Sequence, residues 1–246
     1  MGKIYFASDF HLGIPDAVRS LEREKKLVSW LRMAAKDADC IYLVGDIFDF
    51  WFEYKHAIPR GYSRLLGALS ELTDLGVRIE VFTGNHDMWM FGYLVEECGV
   101  ILHREPVTLQ LQGKKIMLGH GDGLGPGDYG YKFIKRVFAN KVCQWLFARL
   151  HPNFGIGLAN FWSRRSRAAS NVKDEFKGEE NEWLLQYCKE AVKRDPEIDY
   201  FIFGHRHLLL DMKVNERSRY VNLGDWFTDC NYAILEGGSL RLEIYR

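Results

Sequence analysis

The 246-residue chain is 47% hydrophobic and 27% charged, a balance that excludes a disordered polymer and suits one large core. Its 33 basic and 33 acidic residues cancel, so net charge singles out no polyanionic partner. Five scattered cysteines (Cys40, Cys98, Cys143, Cys188 and Cys230) never fall at C-x-x-C spacing, which argues against a thiolate zinc site or a disulfide framework. No apolar leader and no run of ~20 apolar residues is visible, so a cytoplasmic protein is expected.

In chain order, β-branched and aromatic runs predict strands over Lys3–Ser8, Cys40–Gly45, Arg78–Thr83, Lys115–Gly119 and Tyr200–Gly204. Between the first two, Ala17–Ala35 reads as a helix capped by Asp16, with Val18, Leu21, Val28, Leu31 and Ala35 on one face. A second helix, about Arg60–Leu75, carries Leu65, Leu69 and Leu72 and stops at Gly76. Strands alternating with helices predict a largely parallel sheet in an α/β layered fold. The C-terminal runs Leu208–Val214, Arg219–Leu223, Tyr232–Leu235 and Leu240–Tyr245 read as a β meander belonging to a second sheet. The chain reads as a single domain, 1–246.

Residues 128–194 break the alternation and predict a helical cap inserted into that domain. Between Asp128 and Lys173 stand nine basic residues (Lys132, Lys135, Arg136, Lys141, Arg149, Arg164, Arg165, Arg167 and Lys173) against one acidic residue. Tyr129, Tyr131, Phe133, Phe138, Trp145, Phe147, Phe154, Phe161 and Trp162 are interleaved with them. Basic residues on helices are commonly a solvated face, and aromatic residues at helical spacing are commonly core. Combined on an insertion over an anion site, they point instead to an amphiphilic anion and to an anionic membrane surface.

Five polar clusters stand where predicted strands end: Asp9-Phe10-His11, Gly45-Asp46, Gly84-Asn85-His86-Asp87, Gly119-His120-Gly121 and Gly204-His205-Arg206-His207. Side chains from several strands converge at such carboxyl ends. In D-x-H or H-x-H on extended chain, alternate side chains point the same way and can reach one site. A lone histidine is most often a hydrogen-bonded structural residue, and GD after a strand is a common turn. Five such clusters in order, one of them the rare GNHD, point to a metal centre.

This ordered set resembles that of the calcineurin-like metallophosphoesterases. The resemblance implies a four-layered α-β-β-α sandwich of α/β class and a two-metal hydrolase. Carried onto this chain, it puts Asp9, His11 and His207 on one metal, Asn85, His120 and His205 on the other, and Asp46 between them. A bridging ligand needs two oxygens and a negative charge, which Asp46 offers. Two divalent ions about 3.5–4 Å apart can bind phosphate oxygens and supply a bridging hydroxide as nucleophile. Carboxylate, amide and imidazole ligands without thiolate favour Mn²⁺ or a similar ion. His86 is expected to act on the phosphate or leaving group, with Asp87 fixing its tautomer.

Gly45-Asp46-Ile47-Phe48-Asp49-Phe50-Trp51, His120-Gly121-Asp122 and Asn222-Leu223-Gly224-Asp225-Trp226 resemble the UDP-2,3-diacylglucosamine pyrophosphatase branch, which carries a helical cap. That branch releases UMP and 2,3-diacylglucosamine 1-phosphate in lipid A synthesis, at the cytoplasmic face of the inner membrane. The likeness implies substrate contacts at Asn85, Asp128, Tyr131, Ser166, Arg167, Asn171, Lys173 and His205. The chain departs from well-known members in having His86 for arginine and Arg206 for threonine. Other readings are a soluble nucleotide pyrophosphatase, a phosphodiesterase or nuclease acting on single-stranded nucleic acid, or an inactive scaffold. Nucleic acid is the less favoured ligand, and no obligate protein partner is expected.

Overall fold

Alternating apolar runs and amphipathic helices build two sheets facing one another. The computed structural model describes residues 2–127, 129–169 and 175–246, the side chains of residues 160 and 162–169 excepted. In the first sheet β1 (Lys3–Ala7), β2 (Ala38–Val44), β3 (Ile79–Phe82) and β4 (Ile101–His103) run parallel. α1 (Ala17–Ala34), α2 (Ser63–Asp74) and α3 (Tyr93–Cys98) connect them. The second sheet begins with the hairpin β5 (Val107–Leu111) and β6 (Lys114–Leu118). After the helices α4 (Tyr129–Ala139), α5 (Lys141–Phe147), α6 (Pro152–Ala169) and α7 (Trp183–Arg194) comes β7 (Tyr200–Phe203), parallel to β6.

The C-terminal strands do not stay together as the predicted meander. β8 (Leu209–Lys213) and β9 (Arg219–Leu223) complete the second sheet, whereas β10 (Cys230–Glu236) and β11 (Ser239–Tyr245) join the first, β10 antiparallel to β1. Burial explains the split. β10 is covered on both faces, with Tyr232 and Ile234 under α1 and Ala233 and Leu235 between the sheets. Such two-sided burial suits a strand inside a larger sheet.

Three apolar layers hold the sandwich. Leu27, Trp30, Leu31, Leu65, Leu69 and Leu94 pack the helices α1–α3 on the first sheet. Ile4, Phe6, Tyr42 and Val44 meet Ile116, Leu118, Ile202 and Val221 between the sheets. Leu184, Leu185 and Cys188 of α7 cover Phe201, Phe203 and Tyr220 of the second sheet. This is the α-β-β-α arrangement. α7 closes its fourth layer, although it lies within the 128–194 segment expected to form the insertion.

Asp16 caps α1 as expected, accepting from the amides of Val18 and Arg19. The buried face is rotated from the predicted one: Val18 is 68% exposed, while Leu27, Trp30, Leu31 and Ala34 are fully covered. Arg23 and Glu24 are buried on that face too, and charges are rarely buried without partners. Glu24 caps α2, accepting from the amides of Arg64 and Leu65 at 2.9 and 3.1 Å. Leu31→Ala should therefore cost about 2–5 kcal/mol in urea unfolding, and Val18→Ala within about 0.5 kcal/mol of nothing. Equal losses at the two positions would contradict the observed face.

Candidate metal centre

The loops that leave β1, β2, β3, β6 and β7 emerge side by side. Parallel pairing of β1 with β2 and of β2 with β3 brings Asp9, His11, Asp46, Asn85 and His86 together. The second sheet contributes His120 after β6 and His205 and His207 after β7. The Gly204 amide donates to the His120 carbonyl at 3.0 Å, and the His205 amide donates to the Asp9 carboxylate at 3.0 Å, joining the sheets at the site.

The backbone is strained here. Asp9, His11, Asp46, His205 and His207 have φ between 42° and 70°, a region that non-glycine residues rarely occupy. Such conformations cost on the order of 1–3 kcal/mol each and persist only where surroundings enforce them. Some of the enforcement is visible. Arg23 of α1 donates to the carbonyls of Phe10, His11 and Ile14, clamping the first loop from below. Asp87 is wholly buried and accepts from the amides of Gly84, Ile47 and Phe48, tying the second loop to the third. Asn222 donates to the Gly204 carbonyl.

Ligand atoms fall into groups within 4.8 Å of one another: Asp9, His11 and His207; Asp46, His120 and His205; and His11, Asp46 and His86. Asp46 Oδ2 lies between the first two groups, 3.6 Å from His11 Nε2 and 3.3 Å from His120 Nε2. Asn85 Oδ1 sits 3.2 Å from His120 Nε2. The Val44 carbonyl accepts from His120 Nδ1 at 2.9 Å, which leaves the Nε2 lone pair facing the site.

These residues fit divalent cations. His11 Nε2 and His207 Nε2 stand only 3.1 Å apart with Asp9 Oδ1 at 3.7 and 3.3 Å, a convergence of nitrogen and oxygen atoms that suits a shared cation. Buried carboxylates set the electrostatics. Burial opposes charge on His11, yet Asp46, Asp49 and Asp9 raise its pKa to about 10. Burial raises Asp9 and Asp46, yet surrounding imidazoles hold both below the ordinary carboxylate range. Burial, and after it the neighbouring His120 ring, lower His205 to about 4. The site demands positive charge, and metal ions supply it in the form that oxygen and imidazole donors bind well.

His86 is not oriented by Asp87, whose oxygens face backbone amides. Its Nδ1 lies 3.0 Å from the Asp49 carbonyl, which can only accept, so the proton of the neutral ring sits on Nδ1 and Nε2 carries the lone pair. Burial lowers the His86 pKa, favouring that neutral form. Tyr131 reaches the rim of the centre: its hydroxyl donates to Asp122 at 2.6 Å and its ring lies 6.3 Å from that of His205. Of the other expected contacts, Asp128, Asn171 and Lys173 lie outside the described residues, as do the side chains of Ser166 and Arg167.

A cavity of about 690 Å³ opens beside this cluster, between the core and α4–α5, with Phe52, Phe91, Arg104, Asp122, Lys135 and Trp145 among its walls. A family model described as calcineurin-like phosphoesterase matches residues 2–209. The chain belongs to the calcineurin-like phosphoesterases. A UDP-2,3-diacylglucosamine hydrolase of Porphyromonas gingivalis is 40% identical, over 98% of this chain and 97% of its own length. The protein of that name from Aeromonas salmonicida is 28% identical, over 97% and 91%.

As a member of this family the chain is a metal-dependent phosphoesterase with a candidate binuclear centre. Arg23, Asp49 and Asp122 were not singled out by sequence reasoning. Asp49 and Asp122 stood in quoted motifs, and Arg23 showed only as a charge on an otherwise apolar helix face.

Glycine is required where a side chain would displace a ligand. A Cβ on Gly84 would collide with the Asp46 carboxylate, and one on Gly204 would lie 2.5 Å from Asp9 Oδ2; Gly67 in α2 has open space. Gly84→Ala should lower both bound metal and turnover of bis-p-nitrophenyl phosphate by about 10- to 100-fold. Gly67→Ala should leave both intact. Full metal content in Gly84→Ala would show that Asp46 is not a ligand.

Proposed function

We propose that the chain hydrolyses the pyrophosphate bond of UDP-2,3-diacylglucosamine, releasing UMP and 2,3-diacylglucosamine 1-phosphate. The observation that carries this reading is the 40% identity, over nearly the whole of both chains, to a relative of that named activity. In this reading Asp9, His11 and His207 hold one divalent ion, Asn85, His120 and His205 a second, and Asp46 both, with Mn²⁺ as the ion. When bound, the ions supply Lewis acidity toward phosphoryl oxygens and lower the pKa of the attacking water. Asn85 and His205 also face the phosphates. His86, neutral with a lone pair on Nε2, takes a proton from the attacking water and returns it to the departing group, while Asp87 fixes the loop that carries it.

The cap comprises α4–α6 and recognises the lipid half. Tyr129, Phe133 and Val137 recur one helical turn apart on α4 and are all exposed, as are Phe154, Leu158 and Phe161 on α6. Val142, Trp145 and Leu146 of α5 add to them. Apolar patches of this extent signal a binding surface. The cap is rooted by Phe147 against Phe52 and Trp89 at 4.7 and 4.8 Å, and by Lys135 and Tyr131 on Asp122 at 2.7 and 2.6 Å. Asp128, Tyr131, Ser166, Arg167, Asn171 and Lys173 contact the substrate's polar half. Among the described residues no helix is long and apolar enough to cross a membrane. The exposed stripes and basic residues support peripheral docking on an anionic surface, at the cytoplasmic face of the inner membrane. No obligate protein partner enters this account.

Each buried CH₂ is worth ~0.8 kcal/mol, so removing the acyl chains should lower kcat/KM by orders of magnitude under Mn²⁺. Equal turnover of the deacylated UDP-sugar, or a preference for single-stranded DNA, would overturn the assignment. For His86→Gln, kcat should fall by about 10²–10⁴ with metal content unchanged by elemental analysis. Parallel loss of metal would make His86 a ligand.

A further inference from the structure

Arg206 stands between the two histidines of the last motif and is 6% exposed. Its Nε lies 3.1 and 3.3 Å from the carboxylate oxygens of Glu182, and its guanidinium stacks 4.2 Å above the Trp183 ring. Glu182, itself 1% exposed, accepts from the Tyr220 hydroxyl at 3.3 Å, and its carbonyl accepts the Gln186 amide at 3.0 Å, starting α7. Leu184, Leu185 and Cys188 fix that helix on the second sheet.

This turn carries part of the strain of the site. His205 and His207 have φ of 70° and 49°. The bonds to Gly204 and to the His205 amide fix the start of the turn, upstream of Arg206. A buried ion pair adds little net stability, and in some proteins it serves to fix one conformation.

We propose that Arg206 is a positioning residue: through Glu182 and Trp183 it anchors the turn to α7, holding His205 and His207 ready for metal. Planar guanidinium suits this task, because one group both pairs with a carboxylate and stacks on an indole. The inference rests on the metal-site reading given above.

The test uses the full metal-free chain, titrated with Mn²⁺ and followed by electron paramagnetic resonance, with thermal unfolding measured in parallel. Arg206→Lys keeps the charge but loses the stack. The double variant Arg206→Met/Glu182→Gln removes both charges of this pair while leaving Tyr220 a partner. In both, the Mn²⁺ dissociation constants should rise about 10- to 100-fold, and excess Mn²⁺ should restore turnover of bis-p-nitrophenyl phosphate. A lowered Tm with wild-type Mn²⁺ affinity would make Arg206 merely structural and overturn the proposal, as would no change at all. Failure of the unaltered chain to bind Mn²⁺ would instead overturn the metal reading beneath it.

Discussion

Two carboxylates, Asp9 and Asp46, are buried at the carboxyl ends of neighbouring parallel strands, and the rest of the molecule is arranged around that fact. An ionised carboxylate away from water is untenable without compensating charge and donors. Here the compensation comes from both sheets: His11 from the first, His120 and His207 from the second, with the His205 amide donating to Asp9. The apolar layer between the sheets is thus part of the site. It holds β6 and β7 against β1 and β2 so that imidazoles from one sheet reach carboxylates on the other. Glycines at the ends of β3 and β7 permit an approach that any side chain would block.

Residues that touch no ligand atom matter as much as those that form the cluster. Arg23 holds the loop after β1, Asp87 the loops after β2 and β3, and Asn222 the loop after β7. The Val44 carbonyl chooses the tautomer of His120, and the Asp49 carbonyl that of His86. Asp122 has a double attachment. Burial raises its pKa, but His120 and the Lys135 ammonium outweigh that and hold it ionised. It therefore ties the His120 loop to α4, so that helix and the centre share one anchor.

Much of this was legible in the sequence because each cluster marks the end of an apolar strand run, and strand ends in α/β sheets are where ligands gather. The layered fold and the meeting of Asp9, His11, Asp46, Asn85, His120, His205 and His207 follow from that rule, and the Asp16 cap from the capping preference of aspartate. Where the reading slipped, burial that periodicity does not register was the cause. On α1, Arg23 and Glu24 occupy core positions, so the apolar stripe was drawn through exposed Val18. The C-terminal strands looked alike in composition, yet two-sided burial sends β10 to the first sheet. α7 has the same helical pattern as α4–α6, and only its packing under Phe201 and Phe203 places it in the sandwich. Asp87 sits next to His86 in sequence but points at backbone amides, leaving Asp49, distant in sequence, to orient the ring.

The central claim is that this buried cluster holds two cations bridged by Asp46. It is tested most directly by loading the metal-free chain with Mn²⁺ and recording its low-temperature electron paramagnetic resonance spectrum at saturation. Two ions sharing a carboxylate at the about 3.5–4 Å typical of such centres should be exchange-coupled. The account predicts two Mn²⁺ per chain and a coupled multiline signal that Asp46→Asn abolishes. A single site, or two sites giving only the six-line signal of isolated Mn²⁺, would contradict it.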